Sequence, residues 1–139
     1  MKRIFTISAS FFLAALLLAG CTRNAVIVNE EDYWLTKERG EVVYSDPYCS
    51  YYVVETNYGY TVLQTYGTYK PYEGAVLYGN FSSRGTRDLY NFTTGYVFTG
   101  TITDYWLSYV EAQDALDYYC PFGKANGAKR EFKKSSFSK

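Results

Sequence analysis

The chain has 139 residues, with 14 basic and 14 acidic side chains and no histidine. Without histidine, a Ser-His-Asp triad or a Cys-His pair cannot form, and the commonest metal ligand is missing. The charge is uneven: residues 22–123 carry six basic and thirteen acidic residues, whereas residues 124–139 carry six basic residues and Glu131. The acidic body argues against nucleic-acid binding. We expect no cofactor and no metal site.

The first 21 residues have the pattern of an export signal. Lys2 and Arg3 precede an apolar run at residues 4–18, and Leu18-Ala19-Gly20 stands directly before Cys21. A run of fifteen residues is shorter than the ~20 needed to cross a bilayer. The pattern therefore favours a cleaved signal over a membrane helix with an incidental cysteine.

The order Leu-Ala-Gly-Cys resembles the lipobox of bacterial lipoproteins, over residues 1–22 only. The resemblance implies cleavage before Cys21, lipidation of its sulfur and attachment to the cell envelope. Thr22 is not the Asp that favours inner-membrane retention in some bacteria, so the resemblance points to the outer membrane. It leaves open the periplasmic face or the cell surface. Residues 21–32 are then a lipidated N-terminus and tether, whose apolar residues 25–28 either pair as an edge strand or lie against the domain.

Residues 33–123 are predicted to form a single β-rich domain. Short runs rich in Tyr, Val, Thr and Phe alternate with Gly, Pro, Asn and Asp. Strands are predicted over residues 41–45, 50–56, 60–66, 75–81, 88–92 and 96–103. The composition indicates a mainly β fold, a small antiparallel barrel or sandwich whose element order resembles OB-folds and SH3-like barrels. Gly59 is predicted to take positive φ in a hairpin loop, and Gly79 and Gly100 to mark bulges or bends.

One short C-terminal α-helix follows the strands. Ser108 and Glu111 fit a capping box. The apolar face of the helix comprises Tyr109, Ala112, Leu116 and Tyr119. Pro121 and Gly123 are expected to end it.

Cys49 and Cys120 remain as an even pair once Cys21 is lipidated. Disulfides persist in exported proteins, so we predict a bond between them. The alternative is two buried free thiols.

Two sets of side chains are candidates for a functional site. Paired carboxylates such as Asp104 with Glu111 or Asp88 are the only catalytic elements available, although solvated acids and a helix cap are the favoured explanation of these residues. The other set is Tyr66, Tyr69 and Tyr72 around Lys70-Pro71, a tyrosine cluster suited to a sugar or a protein partner. Three further aromatics, Trp34, Tyr105 and Trp106, are expected to cover the ends of the core.

Residues 124–139 are polar and basic, and we expect them to be disordered. Their charges, with Phe132, either rest on anionic lipid headgroups or belong to a solvated extension. The basic residues in question are Lys124, Lys129, Arg130, Lys133 and Lys134.

The sequence therefore predicts a lipid-anchored envelope lipoprotein without catalytic residues. It would bind or scaffold an envelope protein or a glycan through exposed tyrosines. Two alternatives stay open: a carboxylate-dependent glycan hydrolase, and a purely structural subunit of an envelope assembly.

Overall fold

The computed structural model describes residues 29–121 and 130–138. The signal, Cys21 and residues 25–28 lie outside this range. Within it, six antiparallel strands close into a barrel in the order β1-β2-β3-β6-β5-β4, and two helices pack on the outside. The elements are α1 (Glu30–Leu35), β1 (Glu38–Ser45), β2 (Tyr51–Thr56), β3 (Gly59–Thr65), β4 (Val76–Gly79), β5 (Gly85–Asn91), β6 (Tyr96–Leu107) and α2 (Tyr109–Tyr119).

The prediction of a mainly β fold with one C-terminal helix is confirmed, and the sheet closes as a barrel rather than a sandwich. Each predicted strand overlaps an observed one, but several begin earlier or end later. Strand β1 begins at Glu38 because Glu38–Glu41 pair with β4. Strand β6 continues to Leu107 because its end pairs with the start of β3. The β1 extension, residues 38–40, consists of two charged residues and a glycine, so side-chain polarity gives no sign of its backbone pairing.

Two hydrophobic clusters lie on opposite faces of the same strands. The first fills the barrel interior and contains Val42, Tyr52, Val54, Ala75, Leu77, Phe81, Leu63, Leu89, Phe98 and Ile102. The second lies outside the barrel and contains Val43, Tyr44, Val53, Val62, Ala112 and Leu116. Because α2 covers the outer face of β2, that strand is apolar on both sides.

Gly79 and Gly100, the two glycines expected to mark bulges or bends, serve the packing of the barrel interior. A Cβ atom on Gly79 would collide with Leu89 Cδ2, and one on Gly100 would come within 3.0 Å of Tyr52 Oη. The register shifts of the described sheet lie in β1 and between β3 and β6 around residues 60–63, away from both glycines. Lack of space, rather than a bulge, thus explains Gly79 and Gly100. The hairpin glycine behaves as predicted, since Gly59 has a φ of 113°.

Helix α2 is fastened at both ends. Ser108 accepts a hydrogen bond from the Glu111 N–H and Glu111 accepts one from the Ser108 N–H, which confirms the capping box. At the other end Cys120 is bonded to Cys49, with 5.8 Å between the Cα atoms. The predicted disulfide is therefore present, and it attaches the helix end to the residues just before β2.

The described part of the C-terminal segment, residues 130–138, packs against the barrel, which differs from the expectation of disorder. Arg130 is only 4% exposed, and it donates hydrogen bonds to Asp117 Oδ1 at 3.0 Å and to the Cys120 carbonyl. The Phe132 ring contacts the rings of Tyr44, Tyr60 and Tyr109. Arg130 and Phe132 are thus engaged within the domain, while Lys133 and Lys134 remain exposed.

The N-terminal part of the described chain also differs from the prediction. Glu30–Leu35 form a helix, whereas residues 30–32 were expected to belong to the tether. Trp34 explains the difference, since its indole stacks on the Tyr90 ring at 6.1 Å and covers the outer face of β5. No helix among the described residues is long and apolar enough to cross a membrane.

We predict that replacing both cysteines of the disulfide (Cys49→Ser with Cys120→Ser) lowers the free energy of unfolding by about 4 kcal/mol. The bond spans 71 residues, and in the chain-entropy model a loop of that size constrains the unfolded chain by about this much. Urea unfolding of the variant and of the oxidised wild type measures the difference. Two reactive thiols at these positions in the denatured, unreduced protein would contradict the bond.

We predict that Phe132→Ala costs about 2 kcal/mol of stability, less than a fully buried Phe because the ring is half-buried. Lys134→Ala, at an exposed position of the same segment, is the matched control and should change stability by less than about 0.5 kcal/mol. Equal effects in urea unfolding would show that the segment does not contribute to the outer cluster.

Candidate functional site

The three tyrosines singled out in the sequence are not equivalent in the structure. Tyr66 and Tyr72 are 62% and 54% exposed. Tyr69 packs against the barrel interior, with its ring 5.0 Å from that of Phe98 and its hydroxyl accepting a hydrogen bond from Asn91 Nδ2 at 2.8 Å. Only Tyr66 and Tyr72 therefore present most of their surface to a ligand.

Lys70 holds the loop that carries these tyrosines, between β3 and β4, close to the barrel. Lys70 Nζ donates hydrogen bonds to the backbone carbonyls of Asp46 and Cys49. Burial lowers the pKa of the Lys70 ammonium, partly opposed by the Asp46 carboxylate. The lysine thus joins the loop to the segment that carries the disulfide.

The carboxylates considered for catalysis are each bound to different partners. Asp104 accepts hydrogen bonds from Arg84 at 2.9 Å and from the Tyr119 hydroxyl at 2.7 Å. Asp88 accepts one from Thr99 at 2.8 Å. Hydrogen bonds from the Ser108 backbone N–H and side chain lower the pKa of Glu111, whereas a general acid needs a raised one.

A groove of about 680 Å³ lies at the end of the barrel where β1 begins. We call it the Trp106 groove. Its walls come from the end of α1, the start of β1, the β2–β3 hairpin, β4, the residues after β4 and the end of β6. It is lined by Leu35, Thr36, Lys37, Glu38, Arg39, Asn57, Tyr58, Tyr78, Ser82 and Trp106.

A local irregularity of β6 places Trp106 in this groove. Tyr60 pairs with Leu107 and Val62 with Asp104, so β6 has one more residue than β3 over this stretch. Such a bulge redirects side chains. Tyr105 packs against the interior cluster, whereas Trp106 is 60% exposed. Trp106 has a φ of 59° and is the one residue other than glycine with positive φ in the described chain.

A chain of hydrogen bonds fixes the orientation of the indole. Trp106 Nε1 donates to Ser82 Oγ at 2.9 Å, and Ser82 Oγ donates to Glu38 Oε2 at 2.9 Å. The Phe81 N–H also donates to Glu38 Oε2, at 3.2 Å. The ring of Tyr58, itself 64% exposed, lies 6.2 Å from the Trp106 ring. Two exposed aromatic rings are thus adjacent, and one of them is held in place through its polar edge.

The charged residues of the groove are mainly cationic. Lys37 lies over the Tyr33 ring with its ammonium 4.3 Å from the ring centre. Arg39 lies over the Phe137 ring at 5.0 Å and donates to Ser136 Oγ at 2.9 Å. One carboxylate oxygen of Glu38 is bound by Phe81 and Ser82, as described above, and the other is buried. The groove therefore offers two cations, in a body with an excess of acidic residues.

Sequence reasoning missed this groove. Tyr105 and Trp106 were both expected to cover the ends of the core. Tyr105 does pack against the interior cluster, whereas Trp106 is exposed. The bulge depends on pairing between β3 and β6, which are more than thirty residues apart, and no local pattern marks it.

Comparison with protein-family models, with characterised proteins and with solved structures finds no significant match. Among the described residues, no three or more Cys, Asp or Glu side chains are grouped to bind a metal.

We predict that Trp106→Gly is more stable than Trp106→Ala by about 1 kcal/mol. Alanine in the left-handed region carries a steric cost of roughly this size, and glycine does not. Urea unfolding of the two variants provides the measurement. In an ordinary strand the order is the reverse, because glycine has more conformational freedom to lose. A more stable alanine variant would therefore contradict the backbone conformation at Trp106.

Proposed function

We propose that this protein is a non-catalytic lipoprotein of the bacterial cell envelope that binds an envelope partner or glycan in the Trp106 groove. The observation that carries this proposal is the exposed Trp106 indole, which is hydrogen-bonded to Ser82 while the Trp106 backbone has a positive φ. Backbone strain of this kind persists only where the surrounding structure enforces it, and it clusters at functional sites. Exposed tryptophan and tyrosine are also the residues that contribute most to binding surfaces.

The state of the acidic groups supports binding over hydrolysis. Two carboxylates acting on a glycosidic bond must face each other across a cleft, one of them with a raised pKa. Asp104 instead accepts hydrogen bonds from Arg84 and Tyr119. Asp88 accepts one from Thr99, and Glu111 accepts one from Ser108. Their hydrogen bonds serve the fold.

The proposed lipid anchor on Cys21 limits the distance between the groove and the membrane. Seven residues separate Cys21 from Asn29, the first described residue, and a fully extended chain of that length spans roughly 25 Å. Helix α1 follows directly and its end lines the groove. A lipid on Cys21 would therefore keep the groove close to the membrane surface, and the lack of Asp at position 22 favours the outer membrane.

We predict that the protein made in bacteria incorporates labelled palmitate and partitions into detergent, and that Cys21→Ser abolishes both. The wild type should also begin at Cys21 when its mature N-terminus is analysed by mass spectrometry. Cys49→Ser is the matched control, since it removes a cysteine that the structure places in the disulfide. Labelling that survives Cys21→Ser, or a mature chain that still contains residues 1–20, would overturn the proposed anchor.

Partner binding is tested by placing a photo-crosslinking amino acid at Tyr58, on the groove, in the full-length protein. We predict specific adducts in intact cells that disappear when Trp106→Gly is added. The control position is Tyr118, which is 80% exposed and does not line the groove. Adducts of equal yield at both positions, or none at Tyr58, would count against the groove as the binding site.

A further inference from the structure

We infer that the Trp106 groove binds a saccharide that carries a carboxylate group. This inference rests on the proposed binding function and names the chemical class of the ligand. It depends on three features of the groove: its aromatic rings, its polar side chains and its two cations.

The aromatic rings suit the apolar face of a sugar ring. A pyranose presents C–H groups on its faces and hydroxyls around its edge, so it stacks on a flat aromatic ring while its edge stays free for hydrogen bonds. Trp106 and Tyr58 are both more than half exposed and lie 6.2 Å apart. Because Ser82 fixes the indole, little side-chain entropy is lost when a ligand stacks on it.

The polar side chains suit the edge of the sugar. The amide of Asn57 and the hydroxyls of Thr36 and Ser82 line the same groove as the aromatic rings. Amides and hydroxyls both donate and accept hydrogen bonds, as sugar hydroxyls do. The Thr36 hydroxyl already donates to the Tyr33 carbonyl and the Ser82 hydroxyl to Glu38, so each of these two oxygens is left to accept from a sugar hydroxyl.

The charges specify an acidic saccharide. Lys37 and Arg39 line the groove together with one carboxylate, on Glu38, so its cations outnumber its anions. Glu38 accepts from Phe81 and Ser82 on Oε2, and its other oxygen is buried away from a ligand. Arginine binds carboxylates strongly through charge-assisted hydrogen bonds. The rest of the body is acidic and repels anions. The two cations thus attract an anionic ligand to this groove.

The size of the groove favours a saccharide over a protein. Its volume of about 680 Å³ lies within the range of small-molecule sites. A stable protein interface buries about 800 Å² on each partner, which is far more than a concave groove of this kind supplies.

The test measures binding to the full-length protein in detergent by calorimetry and tryptophan fluorescence. Two acidic probes are used: a trigalacturonate, and a disaccharide containing N-acetylmuramic acid. Their neutral counterparts are the methyl ester of the first and the N-acetylglucosamine disaccharide for the second. We expect at least one acidic probe to bind, at least tenfold more tightly than its counterpart. The probe that binds distinguishes a uronate from a peptidoglycan source.

Variants of the groove test whether the probe binds there. Trp106→Gly is expected to weaken binding at least about tenfold, as truncation of a central aromatic does at binding sites. The double variant Lys37→Gln with Arg39→Gln leaves the indole in place and should remove the preference for the acidic probe. Tyr118→Ala and Lys134→Gln, both at exposed positions outside the groove, are the controls and should bind as the wild type does.

Three results would overturn the inference: no binding of either acidic probe, equal binding of the neutral counterparts, or unchanged binding by Trp106→Gly. The crosslinking experiment at Tyr58 separates this failure from failure of the proposed function. If both acidic probes fail while Tyr58 still forms adducts that depend on Trp106, the groove binds a partner of another class and the proposed function stands.

Discussion

The pairing of β6 on both of its sides is the interaction on which the barrel and the groove depend. Its first half pairs with β5 and its second half with β3, and Gly100–Ile102 pair on both sides at once. Closure gives every strand a neighbour on both sides, which limits the sheet edge available for edge-to-edge association. Gly100 allows it because Tyr52 and Leu89 occupy the space that a side chain would need. The same strand continues, still paired with β3, to the bulge that turns Trp106 outward.

A second layer of packing lies outside the barrel and supports the same strands. Helix α2 and residues 130–138 cover the outer face of β1, β2 and β3, where Val43, Val53 and Val62 are buried. The disulfide and Arg130 both act at the end of α2, since Arg130 donates to the Cys120 carbonyl and to Asp117. A cation at a helix C-terminus also interacts favourably with the helix dipole. Arg130, one of the basic residues of the C-terminal segment, thus contributes to the fold.

The sequence predicts what depends on near neighbours along the chain. Alternation in β3 separates Leu63, which is inside the barrel, from Val62, which is outside. The capping box at Ser108 and Glu111 locates the start of α2. Cys49 and Cys120, the pair that remains once Cys21 is set aside as the expected lipidation site, indicate the disulfide. The features that were missed come from residues far apart. Arg130 is held by Asp117 and the Cys120 carbonyl. Tyr69 is partly buried because it packs on Phe98 and is hydrogen-bonded by Asn91. Trp106 is exposed because β6 has one more residue than β3 where the two strands pair.

The Trp106 indole is exposed and yet held in place by Ser82. Hydrogen exchange of the indole N–H, followed by NMR, measures this hydrogen bond. We expect exchange about tenfold slower than that of free tryptophan, the factor expected for a hydrogen bond worth about 1.4 kcal/mol. Ser82→Ala should restore fast exchange while the rest of the spectrum is preserved. Exchange of the Trp106 proton as fast as in free tryptophan would show that the hydrogen bond to Ser82 is absent and that the groove has no fixed aromatic surface.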